Sequence, residues 1–109
     1  MVRGSSGTEQ HVRFLVDSVA TYSLLPKPAW EAINLQPKRS VTFTLADGST
    51  IDRRVSECYM KLPQGEAHTS VILGEPGDEA LLGVVTLEIF GLVLNPFSRT
   101  LEPMRTLLV

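Results

Sequence analysis

Apolar positions along the chain fall into short runs and period-two alternations, interrupted every few residues by glycine, proline or small polar clusters. That spacing predicts strands and turns more often than helices. Val41-Thr42-Phe43-Thr44-Leu45 alternates, Ala46-Asp47-Gly48-Ser49 supplies a turn, and Thr50-Ile51 restarts a strand, so this stretch is the clearest hairpin. The alternation continues through Val55, Cys58, Tyr59, Met60 and Leu62, breaks at Pro63-Gln64-Gly65, and resumes at Ser70-Val71-Ile72-Leu73. Val12, Phe14, Leu15 and Val16 read as a strand buried on both faces near its end, because the apolar residues become continuous just before Asp17. Two short helices are expected. One spans Pro26 to Ile33, with Pro28 in its first turn, Trp30 and Ile33 on one face and Asn34 as its stop. The other spans Val84 to Phe90 and ends at Gly91. Leu92-Val93-Leu94, the turn Asn95-Pro96-Phe97-Ser98 and the tail Leu101 to Val109 complete an all-β pattern.

At 109 residues the chain has room for one domain, expected over 11–109, behind a small, polar, flexible segment at 1–10. Ten basic against twelve acidic residues give a net charge of −2, with no basic excess to follow a row of phosphates, so nucleic acid is not an expected partner. No apolar run reaches the length of a membrane span and no signal peptide is apparent, which predicts a soluble, cytoplasmic protein that does not engage a membrane. Cys58 is the single cysteine, excluding an internal disulfide and a cysteine-based zinc site. Stability must then come from packing, including that of a subunit interface.

Candidate chemistry narrows quickly. The chain carries no phosphate-binding glycine loop, His-Glu-x-x-His pair or Gly-x-Ser-x-Gly elbow. His11 and His68 read as strand-edge residues, Cys58 as a small buried hydrophobe, and the acidic run Glu75 to Glu79 as a solvated turn without calcium-loop spacing. No metal or other cofactor is expected. Asp17 stands apart because it follows a core strand directly, whereas Asp47 lies in a turn, Asp52 beside Arg53 and Arg54, and Asp78 in the acidic loop. Two carboxylates brought together share a proton, and such a pair can activate water as base while acting as acid. One chain offers one such aspartate, and a twofold homodimer with Asp17 near its axis would supply the second. An aspartate after a strand is also a common turn-capping residue, and spacing alone leaves both roles open.

Phe14-Leu15-Val16-Asp17-Ser18-Val19-Ala20-Thr21 resembles the Asp-Ser/Thr-Gly-Ala active-site segment of the retropepsin-like aspartic proteases. Leu81-Leu82-Gly83, followed by the helix and by Leu92-Val93-Leu94-Asn95-Pro96, is similar to that fold's second signature, and the hairpin with Asp47-Gly48 at its tip falls where the family carries its flap. The likeness covers roughly residues 12 to 104 and is to the small stand-alone clan AA proteins of prokaryotes. It implies a closed, barrel-like, mostly β fold acting as a homodimer, with one Asp17 per subunit in a catalytic dyad and water as nucleophile. Ser18 matches the hydroxyl residue that bonds across the dimer axis; Val19, Ala20 and Thr21 complete the loop. The flap Ala46-Asp47-Gly48-Ser49 would close over an extended polypeptide, the implied substrate. The departures are Val19, where the motif has glycine, and the amino end, where the family has a full outer strand. A branched side chain at Val19 is expected to crowd the dyad or the peptide and lower activity. The tail Leu107-Leu108-Val109 is expected to carry more of the interface. Two functions follow from the resemblance: a dimeric aspartic endopeptidase, or a catalytically inactive dimer that binds extended peptides or a partner protein by strand addition.

Overall fold

A computed structural model of the chain describes residues 1–104. In chain order its elements are β1 (Val2–Arg3), β2 (Glu9–Gln10), β3 (Leu15–Val16), β4 (Ser23–Leu25), α1 (Lys27–Ala32), β5 (Arg39–Thr44), β6 (Thr50–Leu62), β7 (Gly65–Leu73), β8 (Leu81–Leu82), α2 (Val84–Ile89), β9 (Leu92–Asn95) and β10 (Thr100–Pro103). The fold is mostly β, as the alternation requires. Seven strands form the ladder β2-β1-β6-β7-β4-β8-β3, β5 branches from β6, and β9 and β10 form a separate two-stranded sheet.

The long β6 is the spine. It pairs antiparallel with β7 across the two-residue connection Pro63-Gln64, from Leu62 opposite Gly65 to Val55 opposite Ile72. Its buried side switches along its length. Ser56, Cys58 and Met60 are buried toward the core, whereas Arg53 and Val55 are the covered residues of the earlier stretch and lie at alternate positions of the opposite parity. The β5–β6 hairpin therefore projects using the other face of the strand. Its registered pairs Phe43 with Ile51 and Val41 with Arg53 share that face. The core gathers Val2, Leu25, Ile33, Leu35, Cys58, Met60, Val71, Leu73, Leu82, Leu87 and Leu92, drawn from strands, α2 and the stretch after α1.

Both helices form where expected. Pro26 is the N-cap of α1, Pro28 sits in its first turn where no amide is needed, and Asn34 follows its end with φ 57°. Gly91 follows the C-cap Phe90 of α2 with φ 67°, the left-handed position that glycine takes without strain. Neither helix is long and apolar enough to cross a membrane.

Three expectations need correction. Residues 1–10, expected as a flexible, turn-like arm, contribute two strands: Val2 is fully buried and pairs with Met60, and β2 pairs back onto β1. Short polar flanks hid a single anchoring valine. The stretch from Val12 to Val16 is not buried on both faces; Val12, Phe14 and Val16 pack on the core while Leu15 is 62% exposed. Nor is the sheet closed among the described residues. The ladder ends at β2 and β3, and a groove of about 460 Å³, lined by Leu15, Val16, Leu94, Pro96, Arg99 and Leu101, separates β3 from the β9–β10 hairpin. Among the described residues β3 has one edge on β8 and no strand on the other. The expected interface tail Leu107-Leu108-Val109 lies outside the described residues.

Candidate active site

Asp17 emerges directly from β3, which is held by parallel pairing with β8: Leu15 opposite Leu81 and Val16 opposite Leu82. The Leu15 amide donates to the Ala80 carbonyl and the Asp17 amide to the Leu82 carbonyl, each at 3.0 Å. The chain then turns on the aspartate itself. Oδ1 of Asp17 accepts the Val19 amide at 3.0 Å and the Ala20 amide at 3.3 Å, and the Ala20 amide also approaches the Asp17 carbonyl at 3.2 Å. This is the local capping that aspartate favours in turns. It fixes the carboxylate plane through one oxygen, while Oδ2 has no hydrogen-bond partner among the described residues. Asp17 is half-buried, Ala20 likewise, and Ser18, Val19 and Thr21 are exposed. Val19 is 91% exposed and does not adopt positive φ, so the branched residue sits in the loop without backbone strain and without an intrachain clash.

Behind this loop lies Leu81-Leu82-Gly83. The first two amides of α2, Val84 and Val85, donate to the carbonyls of Ala20 and Thr21 at 2.8 and 2.9 Å. The orphan donors of a helix start are thus satisfied by the Asp17 loop. Gly83 permits the approach: a Cβ there would lie 2.5 Å from the Tyr22 carbonyl carbon and oxygen and 2.9 Å from the Thr21 oxygen. Three buried hydroxyls lock the same junction. Ser23 Oγ accepts the Gly83 amide at 3.0 Å and contacts Thr86 Oγ1 at 2.6 Å, and Thr86 Oγ1 contacts Thr69 Oγ1 at 2.8 Å. Sequence reasoning missed this triad. Its signal was a lone polar residue on an otherwise apolar element, Ser23 before Leu24-Leu25 and Thr86 within Val-Val-Thr-Leu.

The hairpin tip repeats the aspartate device. Asp47 Oδ1 accepts the Ser49 amide at 2.9 Å and the Ser49 hydroxyl at 2.5 Å, and Gly48, at φ 87°, donates to the Leu45 carbonyl at 3.0 Å. The Ser49 hydroxyl, then its amide, hold the Asp47 carboxyl below its ordinary pKa. Among the described residues Ala46, Asp47, Gly48 and Ser49 make no hydrogen bond to the Asp17 loop. The hairpin reaches it lower down, where Phe43 meets Tyr22 edge-on at 5.8 Å between ring centroids. The structure thus brings Asp17 to Thr21 together with Leu81 to Gly83, and attaches the hairpin through its stem.

Cys58, His11 and His68 lie outside the Asp17 loop. Burial pushes the Cys58 thiol up to about 12, which removes it as a nucleophile at neutral pH. His68 lies edge-on to Tyr59, and His11 is exposed. Among the described residues no three His, Cys, Asp or Glu side chains cluster so as to hold a metal ion.

The family described as gag-polyprotein putative aspartyl protease matches residues 6–88. The chain belongs to that family. The matched stretch of this aspartyl protease relative takes in the Asp17 loop, the β5–β6 hairpin and Leu81-Leu82-Gly83, and it stops within α2. It begins before β2, so strand structure ahead of His11 falls inside the family's extent. Searches of curated proteins and of solved structures found no match.

Proposed function

We propose that this aspartyl protease family member is an aspartic endopeptidase whose active form is a homodimer, with Asp17 of each protomer forming the dyad. The observation that carries the reading is the state of the Asp17 carboxylate: one oxygen is pinned by two backbone amides, the other has no partner among the described residues, and the loop is backed by β8 and the start of α2. A fixed carboxylate on a rigid support is what a general base needs. In the dyad one proton is shared. The ionised carboxyl takes a proton from water as its oxygen attacks the peptide carbonyl carbon, and the protonated carboxyl gives its proton to the carbonyl oxygen. As the gem-diol collapses and the C–N bond breaks, the carboxyl that took the water proton gives it to the leaving nitrogen and the other carboxyl takes a hydroxyl proton from the gem-diol, so the amine and the acid leave with one proton on the dyad. Ser18, exposed in the single chain, is free to bond across the dimer axis. The tip Ala46 to Ser49 acts as the flap over an extended polypeptide. No cofactor takes part.

A second reading rests on Val19. Its exposed side chain stands beside the carboxylate that its own amide caps, where a second protomer or a peptide backbone would approach. Crowding there favours a dimer that binds extended peptides without cleaving them.

The test is cleavage of an unstructured peptide library between pH 3 and pH 7, at protein concentrations that populate dimer, with Asp17→Asn as control. Cleavage by the parent that disappears in the control supports the peptidase. Val19→Gly is expected to raise turnover. A parent and a Val19→Gly variant that both sediment as dimers and cleave nothing would leave the binding reading.

A further inference from the structure

The β5–β6 hairpin projects from the sheet, and one ion pair marks where the projection begins. From Thr42 to Asp52 only Phe43 is shielded from solvent; Arg53 is the first residue of β6 that is partly covered, and Val55 and Ser56 are buried. The Arg53 guanidinium meets Asp78 Oδ2 at 3.0 Å, with side chains 23% and 30% exposed. Lys38 and Glu57, 3.6 Å apart and 62% and 61% exposed, are the contrasting surface pair. Screened pairs of that kind contribute little, whereas a partly covered, hydrogen-bonded pair resists both solvent and salt.

Asp78 is itself fixed. Its Oδ2 accepts the Glu75 amide at 2.8 Å, and its own amide donates to the Glu75 carbonyl at 3.0 Å. The loop from Gly74 that carries it is tied down at its start, where the Gly74 amide donates to the Leu25 carbonyl at 2.8 Å and the Trp30 indole donates to the Gly74 carbonyl at 2.9 Å. Its end runs into Ala80, whose carbonyl accepts the Leu15 amide, and into β8, the strand that positions Asp17. Arg53 thus joins the stem of the hairpin to the segment that supports the candidate carboxylate.

We infer that Arg53 and Asp78 form a clasp that sets the hinge of the β5–β6 hairpin, so that residues 42–52 move as a unit while everything from Arg53 onward stays with the sheet. The inference builds on the peptidase reading, in which that hairpin is the flap. Arg53 is then a positioning residue: it does not touch substrate, but it fixes how far from Asp17 the hairpin closes. Phe43 against Tyr22 is the second contact of the stem and lies on the far side of the hinge, so it must break or slide when the hairpin opens.

The test uses Arg53→Met, which keeps the aliphatic stem, Asp78→Asn, which retains an oxygen for the Glu75 amide, and Arg53→Lys as the conservative variant. Hydrogen exchange is followed separately over 40–52 and over β7. In Arg53→Met and Asp78→Asn, amides of 40–52 are expected to exchange about fivefold faster with β7 unchanged, and Arg53→Lys to recover most of the protection. On a cleaved peptide the same two variants should raise KM about fivefold with kcat within about twofold. Unchanged exchange over 40–52, or acceleration spread evenly through β6 and β7, would overturn the clasp. If the parent cleaves no peptide yet exchange changes only over 40–52, the peptidase reading falls and the hinge stands.

Discussion

Asp17 and Asp47 build the same local turn. Each uses Oδ1 to accept the amide two residues on, at 3.0 Å from Val19 and 2.9 Å from Ser49. Their settings differ. Around Asp17, the Leu82 carbonyl receives the aspartate's own amide, and two further loop carbonyls cap α2. Around Asp47 the hydrogen bonds stay within the turn, and Gly48 opens onto space where an added Cβ would meet nothing within 4 Å. An aspartate in a turn forms this local cap by itself, and its surroundings decide whether the cap is anchored to the rest of the fold. The first loop is a fixed platform; the second is a stiff tip on a projecting ribbon.

The largest break in that comparison should come from Gly83→Ala. A methyl 2.5 Å from the Tyr22 carbonyl forces the Asp17 loop away from α2, and the expected loss is about 3 kcal/mol or more, read as a fall in melting temperature. Thr86→Val leaves the buried Ser23 and Thr69 hydroxyls short of a partner, and urea denaturation is expected to show a loss of about 1–3 kcal/mol. Gly48→Ala meets no neighbour, and its only strain is the left-handed φ, so it should lose about 1 kcal/mol.

Asp17→Ala removes an acceptor from two amides of a half-buried loop and should cost about 1 kcal/mol, whereas Asp17→Asn keeps an acceptor and should change stability by less than about 0.5 kcal/mol. Equal losses from the two would show that the carboxylate charge, and not the turn geometry, holds the loop. The smallest effect belongs to Asp47. Its folded pKa lies below the ordinary 3.8, first through the Ser49 hydroxyl and then through the Ser49 amide, so the ionised turn is in place above 3.8 and loosens as pH falls through the lower folded value. The Ser49 amide resonance should titrate with a midpoint below 3.8 and leave the melting temperature unmoved. A midpoint at or above 3.8 would mean that the turn's hydrogen bonds do not persist in solution.

Much of the candidate site is legible in the order of residues, and for a local reason. Asp-Gly between alternating strands, Pro28 and Asn34 around α1, and Gly91 after α2 each act over a few residues, and all produce the turn or cap their chemistry favours. Asp17 is conspicuous for the same reason, as a charge at the end of an apolar run. The partnership within the hydroxyl triad is not legible there: Ser23 and Thr86 stand out singly as polar residues on apolar elements, but only the fold brings them and Thr69, from three elements, within hydrogen-bonding distance. Nor is the clasp between Arg53 and Asp78, two charges in segments that look like solvated surface.

Residue order along the chain sets the alphabet of this protein: where strands turn, where the two short helices start and stop, and which aspartate follows the core. The pairing of distant pieces is set only in the folded core. Val2 beside Met60 converts a polar arm into sheet, and Leu15 beside Leu81 turns a two-residue strand into the mount for Asp17. The division follows from the range of the forces involved. Turn chemistry and hydrophobic period act between near neighbours and leave their mark in the order of residues. Register between strands far apart in the chain is fixed only when the whole core finds the packing that buries them together.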